Sequence, residues 1–345
     1  MTTITIASYF EEENVRRVRE AVRSFDGHVL YGAGLVPPPR WPGDIVGERD
    51  WKRTPGQQED FLAMISEAEV LLDFPQGIEK PLPEAAPGLR WVQGGMAGAG
   101  PVARNAGLLE TDVVVTTASG VFSRQLAEFV LGGMLHHTKR FERLRENRLK
   151  RTWAEEETGT LEGKTLCIIG TGSIGKAIAS LAGPFGMKVV GVKRTVGPDE
   201  SVAGFEALYE TKDLHEALKD ADCVTITLPH TPETERLVDG AAFRAMKPGV
   251  HLSNVGRGVV VDEDALVEAL ESGQVSGAAL DVFAVEPLPE DSPLWDFENV
   301  IVSPHSTDNV ARIAETKLVD LFLENLQRYR AGDKLVNILD RKLLY

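Results

Sequence analysis

Cysteine is scarce in this 345-residue chain: Cys167 and Cys223 are the whole complement, each inside an apolar run. Two such residues exclude a disulfide framework and a cysteine-rich zinc site, and predict buried, reduced thiols. Long apolar runs are missing too. None reaches the ~18 residues of a membrane-spanning helix. Residues 1–7 have no basic stretch leading into an apolar one, so no signal peptide is expected. Positive charge is also in deficit. Lys and Arg number 37 against 52 Asp and Glu, a formal net charge of −15. Sequence-independent nucleic-acid binding requires a basic face, so neither nucleic acid nor a membrane is an expected partner. Internal repeats are absent. What is present is 43% hydrophobic residues and ordinary charge content, which suits a cytoplasmic globular protein. Its length suggests two domains of ~100–200 residues each.

Strand and helix signals alternate throughout. Residues 4–7 read as a strand and 12–25 as a helix with Val15, Val18 and Val22 on one face. The Pro- and Gly-rich stretches 37–55 and 75–87 read as loop. Short apolar runs at 70–72 and 89–92 precede a turn at 94–100 that is too glycine-rich for helix or strand. Residues 111–117 predict another strand, and 121–147 a single long amphipathic helix. Beyond it come six continuous apolar runs, at 165–169, 188–192, 223–228, 250–254, 277–282 and 300–302. Such runs separated by helices indicate a parallel sheet covered on both faces. A last helix, 311–329, is free to return to the first domain.

The first of these runs ends in Gly170-Thr171-Gly172-Ser173-Ile174-Gly175, a G-x-G-x-x-G with a strand before it and a helix after. Gly170 permits the tight turn, Gly172 lets backbone approach a pyrophosphate, and Gly175 lets helix and strand pack closely. The helix start at Ser173 and Ile174 offers unpaired N–H groups to phosphate. A carboxylate usually ends the next strand of an NAD site, where it binds the ribose 2′-hydroxyl. Here that carboxylate is missing. Lys193, Arg194 and Thr195 stand in its place and suit a 2′-phosphate, which predicts NADP(H) as preferred cofactor and leaves NAD(H) as a second one.

Arg257, Glu286 and His305 each follow a different strand of this block. All strand ends of a parallel sheet point to one edge, where ligands bind, so the three can converge. Hydride transfer to a carbonyl builds negative charge on oxygen. An imidazole can give or take the proton, having an ordinary pKa near ~6.5. An arginine binds a carboxylate in bidentate fashion and polarises the neighbouring carbonyl. Other polar residues earn no such role: His136 and His137 are adjacent on a helix, His230 reads as structural or solvent-facing, and Asp213, Glu216 and Asp220 read as a solvated helix face.

From residue 163 to 305 the chain resembles the D-isomer-specific 2-hydroxyacid dehydrogenases, and among them the NADP-preferring glyoxylate/hydroxypyruvate reductases. The resemblance rests on Gly163-Lys164-Thr165-Leu166 with the glycine loop, on 228–234, on 254–258 with 261–263, on 281–289 and on Ser303-Pro304-His305, in the family's order and spacing. It is weaker through 91–98 and 120–135, and only architectural before residue 88. It implies a Rossmann domain, a doubly wound parallel-sheet α/β fold, over 121–308. It also implies a smaller flavodoxin-like α/β substrate domain built from 1–120 and 309–345. The implied reaction transfers a hydride reversibly between NADPH and a 2-keto acid, giving a D-2-hydroxy acid. By resemblance, Arg257 holds the substrate carboxylate, His305 is the general acid/base and Glu286 its partner. Asp281 and the backbone at Val255 orient the nicotinamide, and Pro229 and Thr234 lie near the cofactor. Backbone N–H groups around Ala97 and Gly98 bind the substrate carboxylate. A homodimer is implied, with residues 121–147 at its interface. Ser306-Thr307-Asp308 departs from the small apolar residues common after the histidine, and Glu286 stands where formate dehydrogenases carry Gln. Two alternatives remain: a relative acting on another substrate such as phosphite, which Met96 and Ala97 in the substrate turn do not favour, and a nucleotide-sensing corepressor-like protein.

Overall fold

A computed structural model describes residues 2–344, and the chain divides into two units, Ser123–Asp308 and Met1–Phe122 with Asn309–Tyr345. In the first of these, seven strands form one sheet: Thr165–Ile169, Lys188–Lys193, Ala207–Glu210, Cys223–Ile226, Val250–Asn254, Val275–Leu280 and Val300–Val302. With the strands of the other unit counted first in chain order, these are β6 to β12. Their order is β12-β11-β10-β9-β6-β7-β8 and every neighbouring pair is parallel. The chain starts in the middle, winds to one side and returns to the other, which is the Rossmann order. The central strands are buried along nearly their whole length because helices cover both faces, and Ile168, Ile169, Val224, Ile226 and Leu252 are fully buried. Cys167 and Cys223 lie in these strands, unpaired; burial pushes both thiols up to about 12, so they are packing residues rather than nucleophiles.

The other unit holds Thr2–Ile6 (β1), Gly27–Leu30 (β2), Val70–Leu72 (β3), Trp91–Gln93 (β4) and Val114–Thr116 (β5), in the order β2-β1-β3-β4-β5. All pairs are parallel, and this is the flavodoxin-like order. The final helix, Ala311–Ala331, belongs here. Its Leu318, Val319, Phe322 and Leu326 are buried with Ile4, Val15, Val18 and Trp91, and the Phe322 ring stacks on Trp91 at 5.3 Å. The tail beyond is stitched to β5 by Leu339 N–H donating to Val115 (2.9 Å) and Thr117 N–H donating to Asn337 (2.9 Å).

Three local features differ from the sequence reading. Neither β2 nor β8 carries an apolar run; both are edge strands, half-buried along their length. The helix expected over 121–147 is two helices, Ser123–Thr138 and Phe141–Leu149. The chain turns at Arg140, which takes φ +52° with no glycine or proline to announce it. The strand expected over 111–117 shortens to Val114–Thr116.

Candidate active site

The sequence predicts chemistry at the carboxyl edge of the seven-stranded sheet, and the parallel pairing puts the ends of β6, β7, β9, β10, β11 and β12 on that edge. After β6 the chain turns at Gly170 with φ +112°, a conformation that only glycine takes without strain. Its N–H donates to Val192 (2.8 Å), tying the loop to β7. The helix Ser173–Ala182 begins at once, with no side chain capping it, so the first-turn N–H groups of Ser173, Ile174 and Gly175 have no partner within the helix. A Cβ on Gly175 would collide with the Gly170 carbonyl, whereas one on Gly172 would meet nothing within 4 Å. The first glycine contact lets the helix sit against the strand; the second leaves a clear approach to the uncapped N–H groups. These residues fit a dinucleotide pyrophosphate.

At the end of β7, Lys193 pairs with Glu200, and Arg194 and Thr195 are exposed. After β9, the Thr234 hydroxyl donates to the Pro229 carbonyl (2.7 Å) and accepts from Thr231 N–H (2.8 Å). It thus shapes the 229–234 loop from within. After β10, Asn254 pins the turn that presents Arg257: its Oδ1 accepts from Gly256 N–H (3.0 Å) and its Nδ2 donates to the Arg257 carbonyl (3.2 Å). Val255 is buried and its N–H donates to Ile226 (3.1 Å), so any contact from it to a carboxamide has to come from its carbonyl.

The ends of β11 and β12 are joined by hydrogen bonds. His305 Nδ1 lies 2.8 Å from Glu286 Oε2, and Glu286 Oε1 accepts from Phe283 N–H (3.0 Å), which fixes the carboxylate. With Nδ1 on the glutamate, the imidazole turns its Nε2 outward, and both side chains stay more than a third exposed. His305 takes φ +51°, an uncommon backbone conformation for a non-glycine residue. Asp281 holds it there. This fully buried carboxylate accepts from the Ser303 hydroxyl (2.7 Å), Ser306 N–H (3.0 Å) and Thr307 Oγ1 (2.8 Å). Its observed work is therefore to build the histidine turn, a task the sequence did not disclose. Asp308 closes the turn, its carboxyl raised above the usual range first by burial and then by the nearby Asp281. The structure joins His305 to Glu286 directly; Arg257 shares the edge, its guanidinium donating to the Gly256 carbonyl (2.7 Å).

Ala97 and Gly98 lie in the other unit, after β4. Gly94 N–H donates to Thr116 (2.8 Å) and Gly95 N–H to Asp73 Oδ1 (2.9 Å). Among the described residues, the amides of Ala97 and Gly98 donate to no carbonyl, which leaves two adjacent donors on an exposed turn. Sequence reasoning missed Asp73. It is buried at the end of β3 with φ +69°, and the Ser8 hydroxyl donates to its other oxygen (2.5 Å). A buried polar residue directly after an apolar strand was the available signal. Phe74, next along the chain, packs into the core of this unit. His230 is exposed beside Glu235, and Asp213, Glu216 and Asp220 are exposed as expected. No group of three or more metal-ligating side chains occurs among the described residues.

Comparison with known proteins adds to this geometry. The family model for the D-isomer specific 2-hydroxyacid dehydrogenase NAD binding domain matches residues 131–307. A glyoxylate reductase of Thermofilum pendens is 31% identical over 86% of this chain and 87% of its own length. A D-isomer specific 2-hydroxyacid dehydrogenase family protein from Aeromonas salmonicida superposes with a TM-score of 0.78 at 32% identity, covering 99% of both chains. A D-isomer specific 2-hydroxyacid dehydrogenase from Xanthobacter autotrophicus, solved with NADPH and MES, gives a TM-score of 0.77 at 27% identity over 100% of this chain and 99% of the other. The family match, the similar fold and the matched length agree: the chain belongs to the D-isomer-specific 2-hydroxyacid dehydrogenases.

Proposed function

We propose that this protein reduces a 2-keto acid to its D-2-hydroxy acid, reversibly, with NADPH preferred over NADH. The observation that carries the reading is the 2.8 Å contact between His305 Nδ1 and Glu286, which fixes the imidazole with Nε2 outward on the edge where the glycine loop lies. Ser123–Asp308 is then the cofactor domain, and Met1–Phe122 with Asn309–Tyr345 the substrate domain.

When bound at the uncapped helix start of Ser173, Ile174 and Gly175, the reduced dinucleotide supplies the hydride. The chain's own residues do the rest. Arg257 binds the substrate carboxylate and polarises the carbonyl beside it, and within the other unit the amides of Ala97 and Gly98 are donors of the kind a carboxylate takes. As negative charge grows on the carbonyl oxygen, His305 Nε2 gives it a proton; in the reverse direction Nε2 takes that proton from the hydroxyl. Glu286 steadies the ring in both directions and stabilises the cationic form. Asp281 and the Val255 carbonyl, beside the Pro229–Thr234 loop, frame the nicotinamide pocket. Lys193, Arg194 and Thr195 receive the 2′-phosphate, for which the NADPH complex of the Xanthobacter relative gives support.

A homodimer and a cytoplasmic location complete the reading. Phe141, Leu144, Leu149 and Trp153 are each exposed on the helix Phe141–Leu149 and the segment after it, apolar side chains that a second copy would cover. Unpaired buried thiols agree with a reducing compartment. The test is loss of NADPH absorbance with a panel of glyoxylate, hydroxypyruvate, a branched keto acid and phenylpyruvate, run in parallel with NADH. Turnover of at least one acid, faster with NADPH, is expected. Silence across the panel with NADPH still bound would overturn the reading.

A further inference from the structure

Lys193 does not meet a 2′-phosphate as an isolated cation. Its ammonium pairs with Glu200, with about a quarter of the lysine and a third of the glutamate side chain left exposed. The other oxygen of Glu200 accepts from Gly197 N–H (3.1 Å), so the carboxylate closes the turn that follows β7. A second carboxylate stands nearby. Glu210 is the β8 neighbour of Lys193, but it accepts from Val196 N–H (3.1 Å) and pairs with Lys212, so its charge is already answered. Glu200 has Lys193 as its ion-pair partner, and Lys176 on the first turns of the glycine-loop helix also lowers its carboxyl.

Resting on the NADPH reading above, we propose that Glu200 is a specificity-determining counter-ion, whose carboxylate holds the Lys193 ammonium until a 2′-phosphate displaces it. A phosphate dianion and a carboxylate on the same ammonium repel each other, so NADP(H) must break the Lys193–Glu200 pair to use the lysine fully. The uncharged 2′-hydroxyl of NAD(H) makes no such demand. Glu200 therefore weakens one cofactor and not the other, and it sets the width of the preference that Lys193 creates.

The test is titration calorimetry of the full chain with NADP⁺ and NAD⁺, using wild type, Glu200→Gln, Lys193→Ala and the double variant. Gln keeps an oxygen for Gly197 N–H, so the turn survives. Glu200→Gln is expected to tighten NADP⁺ by about fivefold, the upper range for an exposed ion pair, with NAD⁺ changed by less than about twofold. The gain is expected to vanish in the Lys193→Ala background. Unchanged or weaker NADP⁺ binding by Glu200→Gln, with Lys193→Ala still costly, would make Glu200 a mere tether and overturn the counter-ion role. A gain that persists without Lys193 would overturn it as well. Equal binding of the two cofactors to wild type, untouched by Lys193→Ala, would instead remove the NADPH reading itself.

Discussion

The two sheets are built alike and equip their carboxyl edges differently. Both are parallel and doubly wound, and each places a glycine-rich turn at the end of a buried strand. On the proposed reading, the working groups at the edge of the seven-stranded sheet are side chains, Arg257, Glu286 and His305, with Asn254 and Asp281 shaping the turns that carry Arg257 and His305. On the same reading, those at the edge of the five-stranded sheet are main-chain amides, those of Ala97 and Gly98, in a turn held by the buried Asp73 through Gly95. Acid–base work needs a titrating group, whereas holding a carboxylate needs only donors. One edge is therefore specified by residue identity and the other by backbone shape.

If that division is right, the most damaging change lies at the side-chain edge. His305→Ala removes the proposed proton donor and is expected to lower kcat by ~10²–10⁴-fold, with NADPH affinity retained in a fluorescence titration. A variant turning over near the wild-type rate would return the chemistry to some other group. Arg257→Ala follows. Losing a charge-assisted pair of ~1.5–3 kcal/mol is expected to lower kcat/KM for the keto acid by about 10–100-fold. Loss of NADPH binding by that folded variant would break the assignment.

At the backbone edge the residue expected to be sensitive is not the one proposed to meet substrate. Ala97→Ser keeps both amides and is expected to change KM by less than about threefold, since surface substitutions cost little. Asp73→Ala leaves Gly95 N–H and the Ser8 hydroxyl unpaired in a buried place, at a cost of about 1–3 kcal/mol. It is expected to raise KM for the keto acid while kcat with saturating substrate changes less. The reverse order, with Ala97→Ser the more harmful, would show that side-chain identity matters at this edge too.

The same division explains what the sequence disclosed. The runs that became β6, β9, β10, β11 and β12 are mostly apolar because the sheet is covered on both faces, so their ends, and with them Gly170, Arg257, Glu286 and His305, could be located. The edge strands β2 and β8 are half-buried and carry mixed sequences such as Ala207-Leu208-Tyr209-Glu210, so no periodicity marked them. The break at Arg140 was hidden because a left-handed arginine leaves no compositional trace. Asp73, Glu200 and the true partners of Asp281 were hidden for another reason. A buried or paired carboxylate looks like any other until the strands that surround it are assembled.

The two units also bury opposite kinds of titratable group, which gives the comparison its mildest test, in stability alone. Asp73 is buried, and desolvation raises its carboxyl above the usual range against the hydrogen bonds from Ser8 and Gly95. The folded chain then holds a proton that the unfolded chain releases above the ordinary carboxylate pKa, so this unit loses stability as pH rises through that window. His251, on β10, is buried with Nδ1 unpartnered. Burial first, then the neighbouring His137 and His136, pushes it from 6.5 down to about 3. Here the unfolded chain binds the proton that the folded chain refuses. Its contribution is fully present above 6.5 and is lost as pH falls toward 3, by up to ~1.4 kcal/mol per pH unit. Below neutrality the seven-stranded unit should therefore loosen first. Hydrogen exchange followed by peptide at pH 7.5 and 5.0, each corrected for intrinsic rate, is expected to show protection lost in β9 to β11 before β1, β3 and β4. His251→Gln is expected to flatten that acid loss while leaving kcat near wild type, since the side chain lies in the sheet and away from the edge. Equal loosening of both units, or a variant with the same acid loss, would detach the pH response from His251.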